Sequence, residues 1–152
     1  MVGNENLKKI EIVKIKMVRE RNEKFTVNKV NGPQDGVEIA RQFLEEYDRE
    51  CLIVMALNTK NKVINISVVS VGSLNSSIVH PREVFKTLIL SNAASFIIAH
   101  NHPSGNSTES REDILITKRL NECAKIMGIN LLDHLIIGDG NYTSLKEKGL
   151  LE

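Results

Sequence analysis

The sequence predicts an α/β domain, a β-sheet covered on its faces by helices. Three observations carry that expectation. Strand-like and helix-like apolar patterns alternate through most of the chain. The run CLIVMAL at 51–57 is apolar throughout, the pattern of a strand buried on both faces. And 152 residues, 41% of them apolar, suit one domain with one real core.

The elements follow in order. Residues 10–18 (IEIVKIKMV) are β-branched and partly alternating, which predicts a strand. A second short strand is expected at 25–30, and Asn31-Gly32-Pro33 marks a turn. We therefore divide the chain into a strand-like extension, 1–30, and a main domain, 31–152. Val37, Ala40, Phe43, Leu44 and Tyr47 recur at helical spacing and predict a helix over 36–47. The buried strand 51–57 is followed by the turn at 58–61 and a returning strand at 62–71, a hairpin. Pro81 opens a helix over 81–92, because proline is favoured at a first helical position. A short buried strand, 94–99, runs into the polar segment HNHPSGNSTES. A long helix spans about 109–127, with Gly128 as its cap. Residues 130–137 form another strand, and 142–151 hold a short strand and a last helical turn.

Net charge is +1, so the chain as a whole exerts no strong pull on nucleic acid. Residues 1–30 are locally basic, with eight Lys/Arg against four Asp/Glu. Cys51 and Cys123 lie in apolar runs, where a thiol acts as a small hydrophobe, and neither has a Cys-x-x-Cys partner. No signal-peptide pattern and no apolar run near 18 residues is present, so a cytoplasmic location without a membrane is expected.

The chemistry concentrates in the segment from Ile97 to Asp113. His100 and His102 stand two apart at the end of an apolar strand, so both side chains fall on one side and can reach one ion. Pro103 and Gly105 turn the chain, and Asp113 lies in the first turn of the next helix. Two histidines and one carboxylate leave a fourth position open for water, as catalytic zinc sites do. Ser110 and Asp113 also match a helix capping box, which would account for both residues without a metal. Capping and ligation are compatible. Asn101, between the histidines, should face the other way and serve structure. Ser104 is assigned either to its turn or to the metal's surroundings. His80 could cap its helix, and His134 is expected to pair with Asp133 rather than to build a second metal site.

The spacing His100-x-His102-x7-Ser110-x2-Asp113 matches the JAMM motif at every fixed position. With HPRE at 80–83, HNHPSG at 100–105, SREDI at 110–114 and LLDHLIIGDG at 131–140, the chain resembles the RadC-like branch of the JAB/MPN (JAMM) metalloprotease superfamily over roughly 35–151. The resemblance implies a JAB/MPN fold, similar to that of cytidine deaminases, with a mixed central sheet flanked by helices. It implies zinc held by His100, His102 and Asp113, with Ser110 positioning water or stabilising a tetrahedral intermediate. It also implies a general-base glutamate ahead of an early strand. Glu50 matches that position, with Glu83 as its rival. Glu83 is explained by its helix start, where a carboxylate meets the positive end of the dipole. Long RadC proteins carry a helix-hairpin-helix region, which the strand-like 1–30 does not resemble, so a likeness to the short members is expected.

The expected activity is hydrolysis of a peptide or isopeptide bond in a peptide or protein substrate. The alternative is a DNA-repair-associated or scaffold protein without peptidase activity. Few aromatics and no Trp weigh against stacking on single-stranded nucleic acid. A deaminase reading is weaker, because H-x-E and P-C-x-x-C are absent.

Overall fold

The computed structural model describes residues 6–75 and 79–152. It contains α1 (Pro33–Leu44), β1 (Cys51–Leu57), β2 (Val63–Val71), α2 (Pro81–Leu90), β3 (Ser95–Asn101), α3 (Arg111–Met127), β4 (Asn130–Ile137) and β5 (Tyr142–Ser144). The strands form one sheet in the order β2-β1-β3-β4-β5. β1 is antiparallel to β2 and β3, β3 is parallel to β4, and β4 is antiparallel to β5. The sheet is therefore mixed, and with helices on both faces the architecture is the α/β one of the JAB/MPN fold.

The unbroken apolar run of β1 follows from its place between two cores. Leu52, Val54 and Ala56 pack with Phe85, Leu88, Ile116 and Leu120 from α2 and α3. Cys51, Ile53, Met55 and Leu57 pack on the opposite face with Val37, Ile39 and Ala40 from α1. Successive strand side chains alternate between faces, so both sets must be apolar. β3 repeats the division, with Phe96 and Ile98 toward α2 and α3, and Ile97 and Ala99 toward α1.

Several boundaries move. α1 begins at Pro33, which takes the first helical position rather than a turn, and ends at Leu44 rather than at 47. The expected strand at 25–30 reduces to a single bridge, Lys29 to Lys62, while Phe25, Val27 and Val30 pack on the α1 face. The strand expected at 10–18 does not form. Residues 7–25 carry neither helix nor strand, and Ile10, Ile12, Val13, Ile15 and Val18 are all exposed. β-branched alternation supplies propensity, but a strand also needs a neighbouring edge, and none is engaged there. Residues 1–5 of that segment lie outside the described residues. The tail keeps its short strand, β5, and then turns at 145–149. Both cysteines are free, Cys51 buried and Cys123 partly buried against the α2/α3 core. Among the described residues no helix is long and apolar enough to cross a membrane.

Candidate metal centre

β3 sets the site. Because Phe96 and Ile98 face α3, His100 two residues further faces it too, and His102 continues the series beyond the strand end. The His100 and His102 Nε2 atoms lie 3.0 Å apart. α3 brings Asp113 against them, with Oδ1 3.2 Å from His100 Nε2 and Oδ2 3.3 Å from His102 Nε2.

The capping reading of Ser110 and Asp113 is present as well. Ser110 N donates to Asp113 Oδ2 at 2.8 Å, and Asp113 N donates to Ser110 Oγ at 3.1 Å. The box fixes the carboxylate while leaving it turned toward the histidines, so capping and the cluster coexist.

Glu50 arrives through register. Leu52 lies opposite His100 in the antiparallel β1–β3 pair, so two residues earlier in β1's approach falls level with His102. Glu50 Oε1 is 3.8 Å from His100 Nε2, and Leu74 N donates to Oε2 at 3.2 Å. Asn101, facing away from the histidines, brackets this segment. Its Oδ1 accepts from Cys51 N at 2.8 Å and its Nδ2 donates to Arg49 O at 3.0 Å, on either side of Glu50. Glu83 does not approach. It is exposed and paired with Lys86 at 2.8 Å, which holds its carboxyl below the usual range.

One ligand atom from each of Glu50, His100, His102 and Asp113 fits within 4.8 Å of the others. The donor set suits a metal cation. His102 Nδ1 lies 2.8 Å from Asn106 O, a carbonyl that only accepts, so Nδ1 carries the proton and Nε2 presents a lone pair to the cluster. Asp113 is 1% exposed. Two carboxylates and the His102 lone pair in a largely buried place suit a positive charge between them.

The turn after His102 is latched. His102 N donates to Ile137 O at 2.8 Å, and Asp139 N donates to Gly105 O at 2.8 Å. Asn141 Nδ2 donates to Gly105 O at 3.0 Å, and its Oδ1 accepts from Ser107 N at 3.0 Å. Gly105 has φ +86°, a left-handed conformation suited to glycine. A groove of about 790 Å³ opens beside His102, with Thr26, Arg41, Tyr47, Pro103 and Asp139 in its walls.

The sequence model of the RadC-like JAB domain matches residues 30–150. The chain belongs to that family. A UPF0758 protein of Clostridium acetobutylicum is 58% identical over 127 residues, covering 84% of this chain and 56% of the relative. The UPF0758 protein YsxA of Bacillus subtilis is 54% identical over 122 residues, covering 80% and 53%. A UPF0758 protein of Desulforamulus reducens is also 54% identical over 122 residues. The chain thus spans about half the length of the curated relatives it matches. RadC-like membership agrees with the mixed sheet and brings no activity with it.

Three smaller expectations meet the structure differently. Ser104 Oγ accepts from Asn106 N within the turn at 3.3 Å, which favours the turn role. His80 takes the N-cap position of α2 but makes no side-chain cap bond. His134 pairs with Asp133 through its backbone, N donating to Asp133 Oδ1 at 2.7 Å, and not through its ring. Asp133 Oδ2 accepts from Ser144 Oγ at 2.6 Å, while the His134 ring lies behind His100, Nε2 to Nδ1 at 2.8 Å. Burial, and then the neighbouring His100, push His134 well below the usual imidazole range, so it is neutral.

Proposed function

We propose that this RadC-like domain is a zinc-dependent hydrolase that cuts a peptide or isopeptide bond. The convergence of Glu50, His100, His102 and Asp113 within 4.8 Å carries the reading. His100, His102 and Asp113 would hold the ion, since two imidazoles and a carboxylate with an open fourth position suit catalytic zinc. Zinc there would supply Lewis acidity and bring the pKa of water to about 7.

The chain's own residues divide the remaining work. Glu50 is the member of the cluster set furthest toward solvent with its side chain 22% exposed, against 2% for Asp113 and 0% for His100. That suits a base which takes a proton from the attacking water and returns it to the leaving amine. Ser110 Oγ accepts from Asp113 N, so its hydroxyl proton is free to point at a developing oxyanion, an interaction worth about 3 kcal/mol in the transition state. The groove beside His102 offers an extended chain a place to lie.

The test is metal content by plasma mass spectrometry, followed by turnover on a peptide and isopeptide panel. Wild type should carry about one zinc per chain, as one complete ligand set requires, with none in His102→Ala or Asp113→Ala. Glu50→Gln should keep the zinc and lose turnover. A zinc-free wild type after reconstitution, or full turnover by Glu50→Gln, would defeat the reading. The second reading, a nucleic-acid contact, draws on the exposed Lys/Arg of residues 8–21. A salt-dependent DNA affinity that vanishes without 1–30 would favour it.

A further inference from the structure

His134 and Thr117 take no part in the chemistry above, yet both are fully buried and both touch the cluster's back. The Thr117 hydroxyl lies 2.7 Å from Asp113 O and 2.6 Å from His134 Nδ1. His134 Nε2 lies 2.8 Å from His100 Nδ1. Hydroxyls and neutral imidazoles each have one proton to give, so these three contacts restrict one another.

Asp113 O is a carbonyl and can only accept. If Thr117 donates to it, Thr117 Oγ1 must accept from His134, and Nδ1 of His134 carries the proton. The His134 ring is fully buried with a hydroxyl on Nδ1 and an imidazole on Nε2, surroundings in which an added charge would lie unpaired, so the ring carries one proton, its Nε2 accepts, and His100 Nδ1 must donate. That leaves His100 Nε2 aimed at His102 and Asp113. The reverse order would have Thr117 donate to His134. It would set two acceptors, Thr117 Oγ1 and Asp113 O, 2.7 Å apart with no proton between them. Only the first order satisfies all three contacts.

We infer that Thr117 and His134 form a directional hydrogen-bond chain, anchored on the backbone of Asp113, that holds His100 with its Nδ1 protonated and its Nε2 directed at the metal position. His134 is a positioning residue that acts through His100. The chain ties the two buried ligands together, because Thr117 is on the same helical face as Asp113, one turn on, and its partner reaches the strand that carries His100. On the other histidine a simpler device does the same job, the Asn106 carbonyl on His102 Nδ1. The inference rests on reading the cluster as a metal centre, and partners of this kind hold the ligating ring in one orientation and raise its basicity.

Two experiments on the full chain test it. Nitrogen-15 NMR of the histidine rings, without metal and with zinc, should show His134 protonated at Nδ1 and bare at Nε2, with a proton on His100 Nδ1. A proton on His134 Nε2 facing a bare His100 Nδ1 overturns the chain. Thr117→Val, which swaps the hydroxyl for a methyl, should let both His134 tautomers appear. An unchanged single tautomer counts against the anchor and overturns it. In the second experiment zinc affinity is read by chelator competition. His134→Leu removes the acceptor and should weaken zinc by about 10–100-fold. His134→Gln can return an amide oxygen to the Nε2 position and should recover most of that loss. Wild-type affinity in His134→Leu, or equal losses in Leu and Gln variants that both fold, overturns the proposal. Should His134→Leu fail to fold, the wild-type spectrum decides alone. A lack of peptidase turnover would sink the proposed activity and leave both readouts intact. A wild type that takes up no zinc would remove the metal centre, while the spectrum would still judge the proton order.

Discussion

Replacing Asn101 by alanine should loosen the approach to β1 without touching a proposed ligand. The side chain makes two hydrogen bonds to backbone, accepting from Cys51 N at 2.8 Å and donating to Arg49 O at 3.0 Å. Each is worth about 1 kcal/mol net, so the pair contributes about 2 kcal/mol. Cys51 is buried, so its N–H finds no easy replacement in water. For a chain of this size 2 kcal/mol corresponds to a fall in Tm of roughly 4–8 °C. With a urea m-value of about 2 kcal/mol/M, the midpoint should fall by about 1 M. Asn101→Asp keeps the acceptor and loses the donor, so its midpoint should lie between the two. Zinc stoichiometry should be unchanged, because Asn101 faces away from His100 and His102. The assay is urea denaturation followed by circular dichroism, with metal content on the same samples. An Asn101→Ala midpoint equal to wild type would refute the bracket, and loss of zinc would refute its separation from the ligands.

Other consequences follow from single residues. Adding zinc at about 100 times its Kd should raise stability by about 2.7 kcal/mol in wild type and not in Asp113→Ala, which differential scanning calorimetry would read. Burial pushes the Cys51 thiol up to about 11 from 9.0. Its folded value exceeds its unfolded one, so the stability it contributes is present below pH 9 and lost as pH rises toward 11. Cys51→Ala should flatten that slope in urea midpoints taken across the range. A Cβ at Gly138 would meet Gly105 O at 2.5 Å and would collide with Asn141 Oδ1. Gly138→Ala should therefore spring the latch between the two turns, costing about 1–3 kcal/mol as overpacking does, and a thermal melt unchanged from wild type would contradict this.

The alternation of apolar runs was enough to place β1, β2, β3, β4, α2 and α3, because each satisfies local propensity and a two-faced core at once. His100, His102 and Asp113 were legible because strand parity and helix capping are local rules. Glu50 needed the resemblance, since its closeness to His100 comes from the antiparallel β1–β3 register, a long-range fact. The 10–18 segment misled because the same residues that favour a strand do nothing to supply its partner. His134 does hydrogen-bond Asp133 through its backbone, but the place of its ring was hidden for a sharper reason. Between Phe96 opposite Leu131 and Ile97 opposite Asp133, β4 takes in one extra residue. An even alternation from Leu131 would have turned His134 toward α1. The bulge shifts the parity and aims the ring at Thr117 and His100. Nothing in LLDHLIIG announces it.

The position of β3 at the middle of the sheet also sets when the site can exist during synthesis. A chain leaving the ribosome releases Glu50 and the β1–β2 hairpin first, and these can pair early as neighbours in sequence. His100 and His102 emerge next, on a strand whose second neighbour, β4, has not yet been made. Asp113 must wait for α3 to wind, and the ring behind His100 arrives later still, on β4 at position 134. A product of translation that stops before α3 lacks part of the cluster. Uptake of an ion would thus wait for α3, and a chain grown only as far as β3 would carry its two histidines without their carboxylate partner.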